Sequence, residues 1–374
     1  MWYSALPFFH RMRESCMGAD CYAIIMAGGR GERFWPLSSE LVPKPFVSIL
    51  GEKTMIRDTV DRLAAVTPPG NMLVVLSPQH LPVALEQLPD IPRSNFIVEP
   101  MGRDTAACIG LASLHVEQKD AGASVVIVPA DQRIPDRNAF AGIIAGARDF
   151  LGTQDAGIIT IGIRPIRPET GYGYIETGAE LGRLNGLALY RVSRFVEKPD
   201  PATAQRYCVS ETHYWNSGIF VAKNKTIQDS LRFYMPGLWA GMERIRAALG
   251  TAEAHAVAKR EFAALEKVSI DYGVLEKSGQ VTMVPAQFAW DDLGTWNSLA
   301  RVCIPDADGN VAFGRRLGHD TRGCIIYNAQ DQLLVTMGVR DLVVVQARGK
   351  VLICHKDRAP FLKEIMPLLA EEDR

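Results

Sequence analysis

The chain of 374 residues has seven cysteines and no CxxC pair among them. Cys16, Cys21, Cys108, Cys208, Cys303, Cys324 and Cys354 fit neither a zinc site nor a disulfide framework. The odd count suits buried thiols in a reducing compartment. Net charge is also scarce, at a formal -1. That excludes a wide nucleic-acid-binding face, and no long basic–aromatic stripe is visible. A phosphorylated substrate needs only a local basic pocket. No apolar run approaches the roughly 20 residues that cross a bilayer. Met1–Phe9 has Ser4 and Pro7 and no preceding basic residue, so no secretory signal or membrane partner is expected, and the expected location is the cytoplasm. Neither the P-loop nor the dinucleotide fingerprint occurs.

What is present is ordinary enzyme composition, 47% apolar and 22% charged, with organised patterning from Cys21 onward. Residues 1–20 read as an N-terminal extension. Apolar runs at Cys21–Ala27, Met72–Leu76, Phe96–Val98, Ser124–Val128 and Gly157–Ile161 read as buried strands. Helical patterns at Thr54–Ala65, Thr105–Gln118 and Ala139–Phe150 fall between them. This alternation predicts a mostly parallel sheet covered on both faces, with ligands beyond the carboxyl ends of its strands. Residues 164–220 are less regular, with strand signals at Tyr190–Val196 and Trp215–Val221; Leu238–Lys259 is helical in tendency. Short β-rich runs at Cys324–Tyr327, Leu333–Thr336, Leu342–Gln346 and Lys350–Cys354 suggest compact rungs, followed by a helix near Pro360–Glu371. The expected division is 21–305 for a catalytic domain and 306–374 for a small β domain with a terminal helix.

Three polar features follow strand candidates. Gly28, Gly29 and Gly31 let backbone approach phosphate without a Cβ in the way, and Arg30 and Arg33 add charge. Lys44 stands between Pro43 and Pro45 on a stiff turn. A structural turn with solvent-facing arginines fits the same letters. Glu99 can accept hydrogen bonds from ring N–H groups, or serve as a salt-bridged loop residue. Asp131 and Asp292 are hard oxygen ligands suited to Mg²⁺, or caps and turn carboxylates; Asp291 rivals Asp292. Lys198 can bind an anion, Glu176 can accept from two hydroxyl groups, and Asn216 offers donor and acceptor. Trp215 and Trp296 read as packing residues.

The stretch from Met26, AGGRGERFWPLSSELVPKP, resembles the signature of sugar-nucleotide pyrophosphorylases, nearest to their mannose-1-phosphate guanylyltransferase branch. Gly102–Ala107 (GRDTAA), Val128–Ile134 (VPADQRI), Gly171–Glu176 (GYGYIE), Phe195–Pro199 (FVEKP), Trp215–Phe220 (WNSGIF), Ser269–Ser278 (SIDYGVLEKS) and Trp290–Trp296 (WDDLGTW) continue the series in order. The tail from about 320 to 360 resembles that branch's short β-helical region.

The resemblance implies a Rossmann-like mixed-sheet α/β nucleotidyltransferase domain followed by a β-helix-like domain. It implies transfer of a guanylyl group from GTP to α-D-mannose 1-phosphate, with Mg²⁺ between Asp131 and Asp292. Arg33 and Lys44 would bind the triphosphate, with Gly28, Gly29, Arg30, Gly31, Glu99, Gly102 and Thr105 around the nucleotide. Gly171, Tyr174, Glu176, Glu197, Lys198 and Asn216 would receive the sugar phosphate. Pro45, Asp104, Ala107 and Gln132 depart from the common pattern, where glutamine, asparagine, proline and histidine are frequent. Manno-heptose 1-phosphate, another base, or a non-catalytic nucleotide-sugar-binding role are the alternatives. The β-rich tail is expected to cover an edge or make a homodimer contact. The chain shows no long isomerase region of the bifunctional relatives, so phosphomannose isomerase activity is not expected.

Overall fold

The computed structural model describes residues 21–29, 31–153 and 157–373. The expected N-terminal extension and Arg30 lie outside the described residues. The architecture is a Rossmann-like mixed α/β sheet domain followed by a short β-helix-like domain. No helix among the described residues is long and apolar enough to cross a membrane.

Two compact units share the chain. One gathers residues 21–24, Arg103–Ile127 and Gly142–Ala286; the other gathers Ile25–Gly102, Val128–Ala141 and Gln287–Arg374. Strands β1 (Cys21–Met26) and β4 (Ser124–Pro129) each begin in the first unit and end in the second.

In the first unit the strand order is β1-β4-β8-β5-β9-β7-β6. Here β5 is Ile158–Ile163, β6 Gly173–Leu184, β7 Leu187–Glu197, β8 His213–Lys223 and β9 Val281–Pro285. Among the strands β5 to β9, only the β5–β9 pair is parallel. The expectation of a mostly parallel sheet therefore fails in this half, because two adjacent strands are joined by a tight turn that reverses the chain. That turn is Asn185–Gly186, with φ of 50° and 85°. Asparagine and glycine tolerate positive φ at both central positions, as a two-residue hairpin requires. The region read as irregular thus holds two of the longest strands. All six residues of β5 are buried, as a strand covered on both faces requires.

Helices α3 (Asp104–Lys119), α6 (Asn224–Tyr234) and α7 (Pro236–Ala248) pack together in this unit. Gly110 on α3 admits Leu231 and Met242 to within 3.5 Å of the space a Cβ would take. The single helical tendency over Leu238–Lys259 divides at Gly250, φ 81°, into α7 and α8 (Ala254–Ala264).

In the second unit the order is β3-β2-β1-β4, with β2 Met72–Leu76 and β3 Phe96–Val98 parallel to each other. Helices α1 (Met55–Leu63), α2 (Leu81–Gln87), α4 (Arg137–Thr153, which continues into the first unit) and α9 (Leu299–Val302) belong to this unit, and α5 (Pro201–Val209) belongs to the first. Thr54 caps α1 by accepting from Arg57 N.

The C-terminal rungs stack β10 (Val311–Phe313), β12 (Ile325–Asn328) and β14 (Leu342–Ala347) in parallel, with β15 (Lys350–His355) antiparallel to β14. A second face pairs β11 (Arg316–His319) with β13 (Leu334–Met337). Alternation sorts the rungs into two cores. Ile326 and Val344 point into a cluster with Cys324 and Leu334. Val311, Ile325, Val343, Tyr327 and Val345 point the other way, onto Phe34, Trp35, Val47 and Trp296. Tyr327 Oη donates to Ser48 O at 2.7 Å, and Trp35 Nε1 to Asp373 O at 2.8 Å. The β-rich tail therefore buttresses the segment that follows the glycine-rich loop. The expected terminal helix is instead 3₁₀ turns at Lys356–Glu364 and Met366–Leu368, interrupted by Pro360 and Pro367.

Candidate active site

In the second unit the sheet sets its strand ends side by side. Ala27 N donates to Val75 O at 2.9 Å, Ala130 N to Met26 O at 3.0 Å and Glu99 N to Leu76 O at 2.9 Å. Hence the glycine-rich loop, Glu99 and Asp131 leave neighbouring strands at the same carboxyl edge. Gly31 has φ 64°, and a Cβ there would run into the backbone of Pro43 and Lys44. Only glycine fits, and its carbonyl is held by Ser38 Oγ at 2.6 Å. Among the described residues no atom lies within 4 Å of the Cβ position of Gly28 or Gly29, which leaves backbone open to a ligand. Arg33 is exposed on the 3₁₀ turn Glu32–Phe34.

Lys44 is 9% exposed, and its ammonium lies 3.0 Å from Asp131 Oδ2 while donating to the Asp292 carbonyl. Residues far apart in sequence meet here for a backbone reason. Arg133 and Asp291 exchange N–H···O bonds of 2.9 and 3.1 Å in an antiparallel bridge. That bridge sets Asp131 and Asp292 beside one another. The two aspartates of the WDDLG segment differ in their partners. Asp291 is gripped by Arg301 through two bonds of 3.0 Å and accepts from Leu293 N at 2.8 Å. Its carboxylate is structural. Asp292 lies over Gly294, where a Cβ would sit 2.8 Å from its Oδ2. Gln132 accepts from Trp290 Nε1 at 3.0 Å and so ties the same two segments. Glu99 is 6% exposed. Gly102 has open space at its Cβ position.

Two carboxylates at one edge fit Mg²⁺, which takes one or two protein carboxylates and completes its shell with phosphate oxygens and water. No group of three or more acids, histidines or cysteines suited to a metal occurs among the described residues.

The first unit holds the second cluster. Gly173 pairs with Glu197, and a Cβ on Gly173 would strike the Glu197 carboxylate. Lys198 follows with φ 47°, its N–H bonded to Tyr172 O at 3.2 Å and its ammonium 3.0 Å from Glu197 Oε1. Burial alone would lower the Lys198 pKa, but the Glu197 carboxylate holds it above the ordinary value. Trp215 pairs with Tyr174, so by alternation Asn216 shares the face of Gly173 and Glu197. Asn216 Nδ2 donates to Asp271 Oδ1 at 2.9 Å.

Glu176 is not brought to this cluster. It lies opposite Arg194 and His213, two residues from the buried Tyr174 and therefore on the other face of the sheet. The Tyr174 ring is 1% exposed and packs on Tyr207. Gly171 lies in the turn before β6, its N–H on Glu169 at 3.1 Å. Thr105 also sits in this unit, its hydroxyl accepting from Ile270 N at 2.9 Å. Trp215 and Trp296 are both buried, as packing residues should be. Asp271 is the residue that sequence reasoning misses, although its segment, SIDYGVLEKS, carries part of the family resemblance.

The nucleotidyl transferase family matches residues 22–307. The mannose-1-phosphate guanylyltransferase of Escherichia coli K12 is 35% identical over 359 residues, covering 94% of this chain and 74% of that protein. The chain belongs to the nucleotidyl transferase family. Its branch is that of the mannose-1-phosphate guanylyltransferases. The xanthan biosynthesis protein XanB of Xanthomonas campestris pv. campestris B100 is 34% identical, covering 95% of this nucleotidyl transferase and 74% of XanB. A crystal structure described as mannose-1-phosphate geranyltransferase from Thermus thermophilus superposes with a TM-score of 0.82 at 36% identity, covering 93% of this chain and 99% of that one. Residues 314–369 match a MannoseP isomerase/GMP-like beta-helix domain. The general reaction of this nucleotidyl transferase is transfer of a nucleotidyl group from a nucleoside triphosphate to a sugar 1-phosphate.

Proposed function

We propose that the enzyme transfers a guanylyl group from GTP to α-D-mannose 1-phosphate, forming GDP-mannose and pyrophosphate, with Mg²⁺ as cofactor. The observation that carries this reading is Lys44 engaging both Asp131 and Asp292 beyond a glycine-rich strand end. The names of the relatives from Escherichia coli support guanine and mannose as the specific choices.

A nonbridging oxygen of the sugar phosphate forms a new bond to the α-phosphorus of GTP, and the bond from that phosphorus to the departing pyrophosphate breaks. The attacking phosphate is already ionised near neutral pH, so the chain supplies no general base. Its work is alignment and charge compensation. In this reading Gly28, Gly29 and Gly31 offer backbone to the triphosphate, and Arg33 and Lys44 offset its charge. Glu99 accepts from guanine N1 and N2. Lys198 takes the sugar phosphate, while Glu197 and Asn216 face the sugar. Asp131 and Asp292 would hold Mg²⁺, which when bound neutralises phosphate oxygens.

A homodimer through the C-terminal domain belongs to the same proposal. Leu317, Val335 and Met337 lie 57%, 57% and 73% exposed on the paired strands β11 and β13. Light scattering on the purified protein tests it; a monomer at micromolar concentration removes it. The reaction itself is tested by pyrophosphate release across a matrix of nucleoside triphosphates and sugar 1-phosphates. GTP with mannose 1-phosphate should give the highest kcat/KM. A higher value with manno-heptose 1-phosphate, or with another base, replaces that specificity. Tight binding without pyrophosphate release in any well makes the chain a nucleotide-sugar sensor instead.

A further inference from the structure

The segment Ser269–Ser278 has no part in the reaction as described so far. It folds into a single π-helical turn, Asp271–Leu275, in which Glu276 N donates to Asp271 O at 2.9 Å. Such turns occur frequently at functional sites. The start of the turn is anchored to α3: Ile270 N donates to Thr105 Oγ1 at 2.9 Å, and Ala106 N to Val268 O at 3.3 Å. Asp271 therefore leaves a fixed backbone.

Its side chain meets an equally fixed partner. Asn216 Oδ1 accepts from Thr160 Oγ1 at 3.2 Å and from Gly218 N at 3.2 Å. With both donors on the oxygen, the amide must turn its NH₂ toward Asp271, 2.9 Å away. From β7 the charged groups that bear on Asp271 are Glu197 and Lys198; from its own turn the phenol of Tyr272 lies in the same cluster. Burial first, and the Glu197 charge second, push the Asp271 carboxyl up to about 6. Keeping a carboxylate there at neutral pH costs stability, whereas an asparagine would satisfy Asn216 equally well. The charge has a use that the fold does not supply.

We propose that Asp271 is a positioning residue of the sugar-phosphate cluster: its carboxylate, seated by the Asn216 amide, joins Glu197 in holding the Lys198 ammonium where it receives the phosphate of the sugar. The inference rests on the reading of Lys198 as the sugar-phosphate ligand. The physical need is plain. A lysine ammonium rides on a flexible four-carbon stem with three rotatable donors, and one carboxylate fixes only one of them. A second anion in the same cluster narrows the positions the ammonium can take.

The test uses the full chain and Asp271→Asn, titrated calorimetrically with mannose 1-phosphate and, separately, with GTP and Mg²⁺. At pH 8 the variant should bind mannose 1-phosphate about tenfold more weakly while its GTP affinity stays within about twofold. At pH 5 the wild-type carboxyl is largely protonated, so the ratio of the two affinities should fall toward one. The substrate's own phosphate titrates equally in both proteins and cancels in that ratio. Should the asparagine variant fail to fold, Asp271→Ser is measured for the same ratio. Equal mannose 1-phosphate affinity at every pH overturns the role of Asp271 alone. So does a loss that falls equally on GTP. Wild-type protein that binds GTP but not mannose 1-phosphate overturns the inference and the reading of Lys198 with it.

Discussion

The two units carry charge in opposite balance. In the second, one nearly buried ammonium, Lys44, serves two aspartates, ion-paired with Asp131 and bonded to the Asp292 carbonyl. In the first, one more exposed ammonium, Lys198, is ion-paired with Glu197 at 3.0 Å, and Asp271 brings a second negative charge to the Asn216 side of the cluster. The rigidity differs as well. Lys44 lies on a turn wedged by Gly31 and backed by Trp296 and the C-terminal rungs, while Lys198 ends a hairpin strand with its side chain 59% exposed. The lesson is that an acidic partner beside a lysine has two meanings. Around Lys44 the aspartates are candidates for a metal. Around Lys198 the carboxylates are suited to hydroxyl groups and to holding the lysine still.

The comparison can be broken by experiments of decreasing size. Trp296→Ala should cost about 3–5 kcal/mol of stability, measured by urea unfolding, because the ring is fully buried between Phe34 and Tyr327. A cost below about 1 kcal/mol would mean that the rungs do not support the loop segment. Asp131→Ala should lower turnover about a hundredfold and remove saturable dependence on Mg²⁺ in pyrophosphate-release assays. An unchanged magnesium titration would leave Asp131 as a mere partner for Lys44. Lys44→Ala should lower kcat by more than about tenfold, through lost charge stabilisation; normal kinetics in a folded variant would move the triphosphate elsewhere.

The smallest effect is thermal. The folded pKa of Asp271, about 6, lies above the ordinary value of 3.8. Its penalty is therefore absent below the ordinary value, grows as pH rises from 3.8 to about 6, and is full above that. Asp271→Asn should raise Tm by about 2–4 °C at pH 8, with a smaller gain at pH 5. A lower Tm at pH 8 would make Asp271 structural and erase the contrast between the two clusters.

Much of this was legible from the chain. Runs such as Met72–Leu76 and Ser124–Val128 read as buried strands because four or five consecutive apolar residues between turn formers have few other homes. The hairpin at Asn185–Gly186 was also written in the sequence, as an Asn-Gly pair, but the weak alternation of its flanks hid it. Glu176 and Glu197 show the limit of motif reading. Each belongs to a recognisable motif, yet strand parity sends them to opposite faces.

By itself, then, the sequence determined the alternating strands and helices, the glycine-rich loop, the β-rich rungs and the family motifs. These are local, set by side-chain period and by glycine's freedom at positive φ. Tertiary structure alone tied Asp291 to Arg301, brought Lys44 to Asp131 and to the Asp292 carbonyl, and joined Asp271 to Asn216. Those choices depend on a single bridge between Arg133 and Asp291 and on a one-turn π-helix. Backbone hydrogen bonds between distant segments carry no side-chain signature, so the letters could name the charged residues but not seat them.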